Sequence, residues 1–219
     1  MQTIKELLDL VSLELSDKLR LRWTLDDLVV YYNAAVAAMA NYRPDIFAHT
    51  HPFRCVAGTK QALPDGAIKL IEVERNTGGR KVRFFERGVL DDLEPDWLTG
   101  QDAEEVEAYC YEATTPKAFW VYPGVVSGVQ IDLTVSQLPK QVTVADVGVG
   151  QALPVDATYH TPLFDWIMYR AYLRDADDTV NSSRGQSHMQ SFANYLGVTL
   201  QSDKALSSVR QQRYQTNQG

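Results

Sequence analysis

A chain of 219 residues, 45% hydrophobic and 22% charged, has an ordinary globular make-up and enough length for one substantial core or two small ones. Its net charge of −7 argues against a surface built to neutralise phosphates, because nucleic-acid binders gather Lys and Arg onto a basic face. No apolar run approaches the roughly 18–20 residues that cross a bilayer, and the acids in MQTIKELLDLVSLELSDK break the apolar stretch a signal peptide needs. The expectation is a soluble protein without a membrane partner, made in a reducing cytoplasm. Cys55 and Cys110 lack CxxC spacing and read as buried thiols, not as a metal site or a disulfide.

In chain order, Ile4, Leu7, Leu8 and Val11 give a short amphipathic helix. Trp23-Thr24-Leu25-Asp26-Asp27 then marks a second helix start, with Thr24 as N-cap and Asp27 positioned to return the bond. Leu25, Leu28, Val29, Tyr32, Val36 and Met39 share one face of it, and Pro44 ends it. Beyond that point the texture changes. Segments 67–76, 80–88, 105–113, 117–123 and 129–136 are short, rich in β-branched and aromatic residues, and separated by turn formers such as Asn76-Thr77-Gly78-Gly79 and Thr114-Thr115-Pro116. They predict antiparallel strands. Helical periodicity returns with Pro162 in a first turn, followed by Leu163, Trp166, Ile167, Arg170, Ala171 and Arg174, flanked by Tyr169 and Tyr172. A last helix is expected from about Ser182 through Leu196, with Gly197 as its cap.

The tetrapeptide QALP occurs at residues 61–64 and again at 151–154, but the residues after the two copies are unrelated, so no repeat is present. Leu-Pro holds the chain extended and withholds a ladder donor. The two copies therefore read as punctuation, the first leading into the first strand and the second leaving the strand region. The expected fold class is α+β: N-terminal helices (1–50) and C-terminal helices (156–202) form a helical bundle, a β-rich insert (51–155) is an antiparallel sandwich or barrel, and 203–219 is a flexible C-terminal arm. Trp23, Tyr32, Trp166 and Tyr169 are the expected packing residues of the helical body.

Catalytic chemistry finds no support in the sequence. There is no P-loop, and Gly148-Val149-Gly150 lacks the rest of a dinucleotide fingerprint. His49 and His51 read as exposed loop residues, since a metal would need further ligands from afar. His160 and His188 fall on expected helices, in capping or surface roles. Asp91-Asp92, Glu104-Glu105 and Asp177-Asp178 read as solvated faces, because adjacent carboxylates on a regular element point apart. Ser182, Ser183 and Ser187 lack a nucleophile elbow. No enzyme activity, cofactor or metal is expected. Alternation in KAFWVYP buries one set of aromatics and turns another outward, toward subunit contacts.

The order WTLDDLVVYYNAAVAAMANYRPD, GTKQALPDGAIKLIEVERN, EPDW, PKAFWVYP and LFDWIMYRAYLRDAD resembles the tailed-phage adaptor proteins, the head-to-tail connector subunits, over roughly residues 3–200. The resemblance implies a structural virion protein, made in the host cytoplasm. It further implies a self-associating, dodecameric ring between the portal protein and the tail nozzle or tail-tube protein, extending the conduit for the genome. An acidic wall suits passage of DNA without sequence-specific binding, since it offers phosphates nothing to grip. In such a protein the C-terminal arm would dock on the portal, and Arg210, Arg213 and Tyr214 are the residues suited to anchor it. Two alternatives stand beside this reading. One is a β-rich receptor- or glycan-binding module of a phage particle, for which Asp96-Trp97 is the candidate aromatic platform; the other is a tail-completion protein.

Overall fold

The computed structural model describes residues 2–174 and 179–216, with side chains as far as residue 198 and at residue 201. The fold is α+β and divides into two compact units, one of residues 1–43 with 139–219, the other of residues 44–138.

The first unit is helical. Helix α1 (Ile4–Glu14) is capped by Thr3 and buries Ile4, Leu7, Leu8 and Val11, the face that its periodicity predicts. Helix α2 (Leu25–Tyr42) begins with the expected Thr24–Asp27 capping box and ends at Arg43, before Pro44. A short helix α4 (Val144–Gly148) starts with a second capping box, Thr143 with Asp146. It was not expected from the sequence, where its five residues offer too little periodicity to register. Helix α5 (His160–Leu173) is the centre of the unit, packing against α1, α2 and α6 (Thr179–Thr216). Leu163, Ile167, Met168 and Ala171 of α5 meet a core that includes Leu28, Tyr32, Met39, Phe192 and Leu196.

Gly197 is not a cap: α6 runs through it for 38 residues in all. A glycine inside a helix costs only about 1 kcal/mol relative to alanine, which the residues on either side outweigh. The backbone of the expected arm therefore belongs to α6 as far as Thr216. The side chains of Arg210, Arg213 and Tyr214 lie outside the described ones.

The second unit is a pair of sheets. Strands β1 (Ala48–Arg54), β7 (Gln130–Gln137) and β3 (Ala67–Asn76) form one, in the order β1-β7-β3. The other, ordered β2-β6-β5-β4, contains β2 (Gly58–Ala62), β6 (Ala118–Val125), β5 (Ala108–Cys110) and β4 (Arg83–Phe84). One core takes side chains from both sheets, Leu70, Val73, Ile131, Leu133 and Val135 from the first, Tyr109, Phe119, Val121 and Val125 from the second. This is a sandwich.

Three further features depart from the sequence reading. His49 and His51, expected in a loop, lie in strand β1; as an edge strand it tolerates Pro52. His49 and His51 are thus strand residues facing Val135 and Leu133 of β7. The β4–β5 pair is parallel, not antiparallel, since helix α3 (Arg87–Leu93) intervenes between them. Finally, QALP does not bracket the insert. The first copy overlaps the end of β2, after two strands have already formed, and the second lies in the helical unit, where Ile4 N–H donates to Gln151 O (2.9 Å) and Leu153 N–H to Gln2 O (3.1 Å).

Candidate functional site

Each unit presents a surface that the apolar core does not use up. In the β-rich unit, the outward aromatics expected from alternation are largely covered. Trp120 alternates with Phe119 and Val121, yet all three are buried, because α3 and the turn after it supply Leu90 and Trp97 to the second face of the sheet. Arg87 places its guanidinium 4.7 Å from the centre of the Trp120 ring. The proposed glycan platform falls with the same observation. Trp97 is 3% exposed and its indole N–H donates to Asp91 Oδ1 (2.7 Å), so its ring is unavailable to a sugar. Beside this cluster lies a cleft of about 710 Å³ with Phe85, Leu90 and Tyr122 in its lining, basic Arg80, Lys81 and Arg83, and acidic Glu104, Glu105 and Glu107.

Two buried amides shape this unit. The Gln61 side chain accepts from Val56 N–H and donates to Val56 O, both at 2.9 Å, closing the turn between β1 and β2. Asn76 does the same for Val106, accepting its N–H at 2.8 Å and donating to its carbonyl at 2.7 Å. Both satisfy backbone groups that no strand reaches. The thiols of Cys55 and Cys110 are free and buried, and burial pushes each up to about 11, so neither is a reactive thiolate near neutrality.

In the helical unit the structure places the four expected packing residues as follows. Trp23 is buried and its indole N–H donates to Ala171 O of α5 (3.2 Å). Tyr32 is 1% exposed, and burial raises its phenol well above the ordinary value. Trp166 and Tyr169 are half-buried and contact each other, with ring centres 5.6 Å apart. Trp166 also meets Phe192 of α6 at 4.9 Å, and Phe192 meets Tyr42 of α2 at 5.4 Å. Phe192 is therefore the common member that links α2, α5 and α6, a role sequence reading did not assign.

The Asp165–His188 pair was missed as well. His188 Nδ1 lies 2.8 Å from the nearly buried Asp165 carboxylate, while its ring stacks on Tyr172 and meets the edge of Phe164. Gly185 lets α6 approach α5 without a close contact, since a Cβ there would stand 3.3 Å from Tyr172 Cβ, tighter than an ordinary packing distance. Next to the pair, Thr161, Asp165, Ser191, Asn194, Tyr195 and Val198 line a groove of about 530 Å³. Two residues 23 positions apart on separate helices leave no local signature, so no sequence motif could have announced them.

The connection between α1 and α2 is built with equal care. Ser16 and Arg20 both hold positive φ (56° and 53°), a conformation costing non-glycine residues roughly 1–2 kcal/mol each. Asp17 offsets part of that cost by accepting the N–H groups of Leu21 (2.9 Å), Arg22 (2.9 Å) and Trp23 (3.0 Å), and these bonds, Trp23 foremost, hold its carboxyl below the usual range. Arg20 donates to Ser12 Oγ (3.0 Å) and Asp9 Oδ1 (2.7 Å). The loop so fixed leaves Leu19 and Leu21 about four-fifths exposed, at 80% and 81%.

One protein-family model, SU10 adaptor protein, matches the chain over residues 2–214. The chain belongs to that family. No curated protein matches it. Membership of the SU10 adaptor proteins makes it a structural adaptor of a phage particle, a component of the virion that contacts other head or tail proteins. The exposed leucine loop, the α5–α6 groove and the charged cleft are accordingly this adaptor's candidate contact surfaces.

Proposed function

We propose that this adaptor forms a closed, dodecameric ring seated between the portal protein and the tail nozzle or tail-tube protein, and that the genome passes through it without sequence-specific binding. The family match over residues 2–214 carries the reading. The net charge of −7 supports the conduit part of it, since a wall poor in cations gives a duplex no counterion-releasing grip. The protein is made in the host cytoplasm, and each subunit joins the portal as it is assembled into the particle. Residues 203–219, with Arg210, Arg213 and Tyr214, form the portal-docking arm, the two guanidiniums pairing with portal carboxylates and the phenol filling a pocket between portal subunits.

Cryo-electron microscopy of purified particles tests the ring and its neighbours directly. The expected result is a ring of this chain in contact with the portal. A position at the end of a tail tube, away from the portal, would make it a tail-completion protein instead. Deleting 203–219 tests the arm: subunits are expected to accumulate in soluble form while heads lose their DNA. Infectious particles containing the truncated chain would assign docking to the helical unit.

A further inference from the structure

Helix α6 runs antiparallel to α5 and extends beyond it. Along the packed stretch Gly185 lies against Tyr172, His188 Nδ1 is 2.8 Å from Asp165 Oδ1, and the Tyr195 hydroxyl donates to Thr158 O, just before α5 begins at His160. Leu196, 1% exposed, is the last buried side chain among the described residues of α6, and Val198 is already 61% exposed. The helix nevertheless continues to Thr216, which at 1.5 Å per residue carries it roughly 28 Å beyond residue 197. Gly197 thus stands at the boundary between a stretch supported by α5 and one that projects past it.

Two structural reasons for a glycine are absent at this position. Gly185 has the first, close packing: a Cβ in its place would stand 3.3 Å from Tyr172 Cβ. A Cβ at Gly197 would meet nothing within 4 Å among the described residues. The second reason, a left-handed backbone, holds for Gly78 and Gly150 but not for Gly197, whose φ is not positive. An alanine would fit, and it would favour the straight helix roughly fivefold. Glycine is the poorest helix former after proline and has the widest choice of other backbone angles, so it makes this boundary the weak point of α6. We propose that Gly197 is a hinge, at which the projecting part of α6 bends away from the line of the packed part. Residues 198–216 keep their helix and move together, while Phe192, Tyr195 and Leu196 hold the packed part in place. A kink of about 20° displaces the far end of the helix by roughly 10 Å. The hinge would thereby let the portal-docking arm find its partner surface while the subunit body stays where it is; that use rests on the arm reading above, and the hinge itself does not.

The test takes the isolated 219-residue chain, whose native thiols are buried. Spin labels at Gln186→Cys and Ser208→Cys span the hinge, about 33 Å apart along a straight α6. Labels at Val198→Cys and Gln215→Cys lie on its far side, about 26 Å apart. Pulsed dipolar spectroscopy should give the first pair a broad distribution reaching below the straight-helix distance, and the second pair a narrow one. Adding Gly197→Ala should cut the shortened fraction of the first pair roughly fivefold. A narrow distribution at the straight-helix distance for the first pair overturns the proposal. So does a broad one that Gly197→Ala leaves unchanged, or a second pair as broad as the first, which is fraying and not a hinge. The use of the hinge is read separately in phage. Gly197→Ala subunits should enter particles several-fold less than unsubstituted ones, while Ser183→Ala, which raises helix propensity at an exposed site of the packed part, should enter equally. Equal entry of Gly197→Ala, where deletion of 203–219 abolishes entry, removes the hinge from docking. Infectious particles with the deletion overturn the arm reading instead and leave the measured distances standing.

Discussion

The helical unit and the β-rich unit solve the same problem from opposite directions. The β-rich unit is one continuous stretch, 44–138, whereas the helical unit is made from two stretches separated by that whole insert. In the first, neighbouring strands and two buried amides settle most backbone hydrogen bonds within the segment. In the second, pieces remote in sequence are drawn together by a few long-range ties: Trp23 to Ala171, Asn33 to both backbone groups of Val142 at 2.9 Å, and Arg174 to Asp27 at 2.8 Å. The contrast teaches that an insertion is tolerated when the inserted segment satisfies itself, so that the host need only close a loop, whose entropic cost grows slowly with its length.

The sharpest way to break this comparison is to hollow out each unit in turn. Phe119 and Phe192 are both fully buried, and replacing either with Ala is expected to cost about 3–5 kcal/mol. In scanning calorimetry Phe119→Ala should lower one transition and Phe192→Ala another; a single transition lowered equally by both would show that the units unfold as one. Next come the amides. Asn76→Ala strands the N–H and carbonyl of the buried Val106 and should destabilise the β-rich unit by about 2–3 kcal/mol. Asn33→Ala, at a less buried site, should cost about 1 kcal/mol, and equal losses in denaturant titration would count against the greater dependence of the β-rich unit on such clasps.

Acid offers a gentler separation. Asp17, held low by its bonds from Trp23 and its neighbours, and Asp27, held low first by Arg174 and then by Thr24, both belong to the helical unit. A carboxylate whose folded value is depressed contributes stability that is present above its ordinary value of about 3.9 and is lost as pH falls through the folded value. The helical transition should therefore weaken below about pH 4, and Asp17→Asn should blunt that dependence. Insensitivity of the helical transition down to pH 2.5 would remove these carboxylates from the account. The smallest effect concerns Tyr32, whose buried hydroxyl has no hydrogen-bond partner among the described residues. Tyr32→Phe is expected to leave stability unchanged or raise it by up to about 1 kcal/mol, as read from thermal melts.

Much of the helical unit was legible in the sequence because its signals are local. The Thr24–Asp27 box, the α1 apolar row and the stop at Pro44 each reside within a few residues. The β-rich unit was half legible. Strand β3 shows its pattern, while β1 hides its own, because an edge strand exposed on one side needs no apolar run. The burial of both faces of KAFWVYP was hidden for a physical reason of the same kind: alternation tells which residues share a face, but not that α3 covers the face of Trp120. Of the contact surfaces, the leucines were visible as letters in LELSDKLRLR, yet only the folded loop shows Leu13, Leu19 and Leu21 turned to solvent. Asp165 and His188 gave no sign at all, since their meeting is decided by the packing of two helices.

The divided helical unit also imposes a timetable on synthesis. Helices α1 and α2 leave the ribosome first, yet the helix they pack against, α5, begins at His160. At about 5–20 residues per second, the stretch between them takes roughly 6–24 s to make. Throughout that interval Leu7, Leu8, Tyr32 and Met39 present an uncovered face, and by its end the 44–138 segment is complete. A nascent adaptor is thus a finished β-rich unit held between an exposed helical pair and the ribosome, and that pair is where a chaperone would find it.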